Sequence, residues 1–155
     1  MTWADRGSVS VEVAILAPAF LALVALAGVT GRTAVAHEAI EVAAHEAARA
    51  ASISRTADEA RDAAEDAVLQ RLAGQGYCAG SPELDVTGTT AGEEQDLDDV
   101  FASDLGVDAT VVVTVGCRVP VGNLRMPLVP GVPEHTYAEA TFASPLDRYR
   151  ARSGQ

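Results

Sequence analysis

The chain has 155 residues and a formal net charge of −11, and all 11 of its basic residues are arginine. An acid excess of this size excludes a nucleic-acid binder, which needs a basic face. Hydrophobic residues make up 48% of the chain and aromatics only 5%; alanine supplies much of the apolar count, and since alanine buries little area the core outside any anchor is expected to be small.

The chain starts with a short polar leader and then runs "RGSVSVEVAILAPAFLALVALAGVTGR" from Arg6 to Arg32. Between Val13 and Gly31 it carries no charge. At about 1.5 Å per helical residue, that run reaches about 30 Å, the hydrocarbon thickness of a bilayer. Pro18 inside it is better tolerated in a membrane helix than in a soluble one. Glu12 stands directly before the run, five residues after Gly7. A carboxylate there costs about 2.5–3.5 kcal/mol if it enters lipid, so it requires a partner. Ala34-Val35-Ala36 fits a signal-peptidase pattern, but the apolar run is longer than a secretory signal and a glutamate at its start is unusual.

Residues 32–73 read as helix. "TAVAHEAIEVAAHEAARAAS" has no proline or glycine and places Ala36, Ile40, Ala43, Ala47 and Ala50 on one face, a narrow stripe suited to close helix packing. His37, Glu41 and His45 follow each other at i, i+4 and i+8. Three such side chains span about 12 Å, too far to close on one ion, so a solvated face is expected and no metal site. Thr56 with Glu59 is a capping-box pattern that starts a second helix at Ala57. The stripe of this helix is Ala57, Ala60, Ala64, Val68 and Leu72, with Gly74 and Gly76 as its stop.

From Tyr77 onward the helical pattern is gone. "VDATVVVTVGCRV" (Val107–Val119) is β-branched and reads as a strand, "TYAEATFAS" (Thr136–Ser144) as its antiparallel neighbour, and "ELDVTGT" as a weaker third strand. "VPVGNLRMPLVPGVP" between them is expected as loop or edge. "EEQDLDD" (Glu93–Asp99) lacks the glycine and ligand spacing of a calcium loop and is expected to be a hydrated acidic loop. The two cysteines, Cys78 and Cys117, fit no metal motif. If this region lies outside the cytoplasm they are expected to form a disulfide; the alternative is two unpaired cysteines buried as small hydrophobes. Neither the serines nor His135 sits in a nucleophile elbow or beside an orienting acid, and no phosphate-cradling loop occurs, so no enzyme and no cofactor is expected. The fold class is α+β: a long N-terminal helix, transmembrane over its first half, a second helix and a small antiparallel sheet.

The start of the chain resembles the type III signal of type IV pilins and pseudopilins, in which a glycine precedes the cut and a glutamate takes the fifth mature position. "GSVSVEVAILAPAFLALVALAGV" followed by "EVAAHEAARAAS", together with "VVVTVGCRVPVGNLRMPLVPG" and the ending "ATFASPLDRYR", resembles the TadE family (TadE/TadG-like pilus-assembly proteins), in particular actinobacterial members with a cysteine in that strand and a final Asp-Arg-Tyr-Arg. Val13 stands where members usually carry phenylalanine or tyrosine. The resemblance implies cleavage after Gly7, a new amino terminus at Ser8, and Glu12 as an assembly residue. It implies a leader over 1–7, a transmembrane segment over 8–31, extracytoplasmic helices over 32–76 and a small disulfide-linked β-rich region over 77–155. The implied function is that of a minor pilin or pseudopilin of a Tad-type (tight adherence) machine that builds a Flp pilus. The implied partners are a prepilin peptidase, the major pilin and other minor pilins, the inner-membrane pilus platform and membrane lipid. The other reading is a membrane-anchored extracytoplasmic binding module unrelated to pili, which requires neither Gly7 nor Glu12.

Overall fold

The computed structural model describes residues 5–104, 106–122 and 133–147, with side chains from Glu12 onward. The proline-rich segment 123–132 and residues 148–150 of the final Asp-Arg-Tyr-Arg therefore lie outside the described residues. Helix α1 (Asp5–Ser52) runs 48 residues without a break, about 72 Å at the standard rise. It passes through Pro18, whose ring leaves one carbonyl of the preceding turn without its helical donor.

Helix α2 (Ala57–Leu72) starts as the capping pattern predicts. Thr56 Oγ1 accepts from the Glu59 backbone N–H at 3.2 Å, and the Glu59 carboxylate accepts in return from the Arg55 N–H at 3.1 Å. Ala57, Ala60, Ala64, Val68 and Leu72 are all buried, and Gly74 ends the helix region with φ +73°.

Four strands follow: β1 (Glu83–Thr90), β2 (Glu93–Gln95), β3 (Ala109–Pro120) and β4 (His135–Pro145), with the short helix α3 (Leu97–Ala102) between β2 and β3. The sheet order is β2-β1-β3-β4, antiparallel throughout. All three strands read from the sequence are present, and β3 is central because its β-branched run can be covered on both edges. On its inner face Ala109, Val111, Val113, Val115, Cys117 and Val119 are buried. Helix α1 packs against β3 and β4, α2 lies beside α1, and α3 packs on β1.

Two expectations need correction. The stretch Glu93–Asp99 is not a loop: it forms β2 and the first turn of α3. Its acidic side chains are exposed as expected, but Leu97, Val100 and Phe101 recur at helical spacing and are buried. Gly88 makes room for Val100, since a Cβ there would lie 2.6 Å from the Thr110 carbonyl oxygen and 2.9 Å from the Val100 side chain. The β1–β2 hairpin turns at Ala91 and Gly92, with φ 55° and 88°, the positive pair that two-residue hairpins require. The stripe of α1 is also wider than expected. Ala44, Ala48 and Ala51 are buried with Ala36, Ile40, Ala43 and Ala47, while Ala50 is only half-buried. A helix wedged between α2 and a sheet buries a broader arc than one facing a single partner helix.

Candidate functional site

The first half of α1 is an apolar helix that the other described elements leave largely uncovered. From Glu12 to Gly31 only Ala25 is buried, while Ile15 is 70% and Phe20 66% exposed. Water-soluble chains rarely present an apolar surface of this extent. The most apolar window has a mean hydropathy of 2.4, so by length and composition this helix can cross a membrane. Two threonines at its far end turn inward on the helix backbone. Thr30 Oγ1 donates to the Leu26 and Ala27 carbonyls at 3.0 and 3.1 Å, and Thr33 Oγ1 to the Thr30 carbonyl at 3.0 Å. That satisfies hydroxyls that hydrocarbon leaves without partners.

Glu12 lies exposed at the head of this segment and forms no ion pair among the described residues. Gly7 and Ser8 sit in the first turn of α1, one helical turn before it.

At the other end of the segment Arg32 donates from Nη2 to the Gly76 carbonyl at 3.1 Å, tying the helix to the loop after α2. The same loop is held to β3. Cys78 and Cys117 form a disulfide with a Cα–Cα distance of 5.5 Å, and the Ala79 N–H donates to the Arg118 carbonyl at 2.7 Å. The folded part of the chain is thus clamped to α1 directly behind the apolar run. Arg32 stood out in the sequence only as a flanking charge; its partner is 44 residues away and no local pattern announces it.

His37, Glu41 and His45 share a face of α1, as their spacing predicts. His37 Nε2 lies 3.5 Å from the Glu41 carboxylate, but His45 packs edge-on against Phe142 of β4, with ring centroids 4.3 Å apart. Among the described residues no three His, Cys, Asp or Glu side chains converge on a metal position. Between α1 and β4 lies a groove of about 450 Å³ lined by His37, Glu41, Val42, His45 and residues 139–142. The sequence pattern did not disclose it, because it depends on which strand closes the sheet.

Residues 7–49 match the family model of TadE-like protein. The match starts at Gly7, includes Glu12 and the whole apolar run, and ends in the packed part of α1. The resemblance read from the sequence holds over this segment, while α2 and the sheet lie outside it. No curated protein and no solved structure matches the chain.

Proposed function

We propose that this chain, TadE-like over residues 7–49, is a minor pilin or pseudopilin of a Tad-type machine that assembles a Flp-type pilus. In this reading it crosses the cytoplasmic membrane once, with everything after Arg32 outside. The disulfide supports that orientation, since such bonds persist in oxidising compartments. A prepilin peptidase hydrolyses the Gly7–Ser8 bond, and the new Ser8 amine carries a positive charge one helical turn from Glu12. Among stacked subunits the Glu12 carboxylate of one chain pairs with the amine of its neighbour, so both charges are neutralised in an apolar bundle. The major pilin, other minor pilins and the inner-membrane platform are the partners, and the role is structural, with no catalytic step.

The observation that carries this reading is Glu12 at the head of an exposed apolar helix, five residues after Gly7, within the matched segment. A plain anchor requires neither residue. Intact mass of the protein from its native membrane is expected to place the mature start at Ser8. A start at His37 would show cleavage by signal peptidase after Ala36 and overturn the reading. Glu12→Gln is the second test. The isosteric amide is expected to leave membrane insertion and cleavage intact but strand the neighbour's amine, a loss of about 3–5 kcal/mol in a buried pair, or at least about a hundredfold in association. Crosslinking to the major pilin and a pilus count measure it, and normal co-assembly of the variant would make Glu12 a mere boundary charge.

A further inference from the structure

The two edges of the sheet are built differently. Strand β2 closes one side with only three residues, two of them glutamate, which is how edges are ordinarily blunted. Strand β4 closes the other with 11 residues, no lysine or arginine, and a proline only at its last position, where typical strands have about five or six. Among the described residues no strand pairs with the outer side of β4. Every second residue there turns a backbone N–H and C=O away from the sheet.

The groove against α1 lies along this open edge. Ala140 and Phe142 share the inner face, being in register with buried Val115 and Val113, whereas Glu139 and Thr141 point to the outer face. Residues from both faces line the groove, so it wraps the backbone edge rather than sitting on either side of the sheet. Its apolar floor includes Phe142, 39% exposed, and Val42. Its charged rim is Glu41 and Glu139, with His37 and His45 and no arginine.

We propose that the β4 edge is a strand-addition site for an extended segment of another protein in which basic and apolar side chains alternate. Backbone hydrogen bonds to β4 supply the affinity. Apolar side chains of the added strand enter the groove over Phe142 and Val42, and basic ones on the outer face lie across from Glu139. A second copy of this chain is the poorer occupant: each copy brings a net charge of −11, and its β4 offers no lysine or arginine to oppose Glu139. This site stands independently of whether the chain joins a fibre.

The test uses the full chain in phosphatidylcholine nanodiscs. The probes are a short peptide alternating lysine and valine and its counterpart with glutamate for lysine. The lysine peptide is expected to slow amide hydrogen exchange over Tyr137–Ala143 and to bind about tenfold more tightly than the glutamate peptide. Glu139→Lys, on an exposed side chain, should abolish that preference, and Phe142→Ala should weaken both peptides. Protection by the lysine peptide at the acidic surfaces of α2 and α3 instead of β4 would overturn the proposal. So would outward-facing β4 amides, those not bonded to β3, already protected in the free chain, which would mean that another part of the chain covers the edge. Protection that rises with protein concentration alone would assign the edge to a second copy and equally overturn it.

Discussion

Tyr137 shows how much one missing side chain can matter on this sheet. Its ring crosses β3 at Gly116, where a Cβ would fall 2.2 Å from the phenol oxygen, and its hydroxyl donates to the Glu83 carboxylate on β1 at 3.1 Å. Gly116 is the register partner of both Glu83 and Glu139, so the ring bridges three strands across the outer face. The hydrogen bond to Glu83 raises the Tyr137 pKa above its ordinary value, and the nearby carboxylate charges push the same way. The phenol holds its proton more tightly folded than unfolded. Its contribution to stability is therefore complete below the ordinary tyrosine pKa and is lost as pH rises through the higher folded value. In an ultraviolet titration of tyrosinate, Tyr137 is expected to ionise after a tyrosine with no carboxylate partner does, and Glu83→Gln should bring it down. An unchanged titration in that variant would mean that the bridge does not form in solution.

Helix α1 does two jobs with one backbone. Its first half offers large exposed side chains, and its second half packs almost wholly through alanine: Ala36, Ala43, Ala44, Ala47, Ala48 and Ala51 are fully buried. Small side chains let α2 and the sheet come close, which leaves no space for growth. Ala47→Leu is expected to cost about 1–3 kcal/mol by overpacking. Ala50→Leu, at a half-buried position, should cost clearly less. Chemical denaturation of both variants measures the difference. Equal losses would place Ala50 within the packed face, as the narrow stripe read from the sequence had it.

For the molecule as a whole, the Cys78–Cys117 bridge, with a sequence separation of 39 residues, encloses β1, β2, α3 and most of β3. In the chain-entropy model a loop of that size is worth about 4 kcal/mol, a large share of the stability of a small, alanine-rich core. Replacing both cysteines with alanine is expected to lower the denaturation midpoint strongly while leaving the apolar first half of α1 helical, which circular dichroism in detergent resolves. A midpoint insensitive to reductant would show that the bridge adds nothing to the stability of the packed part of the chain. What the sequence determined by itself was what rests on neighbours along the chain. The apolar run from Val13, the Thr56 cap, the α2 stripe and the β-branched β3 all follow from local periodicity and turn chemistry. The tertiary structure alone decided that Val100, in the helical end of the acidic run, finds its space over Gly88. It also decided the breadth of the α1 face, the tie from Arg32 to Gly76, and the position of β4 at an open edge beside α1. Each of these joins residues far apart in sequence, and periodicity carries no information about which distant surface a given face will meet.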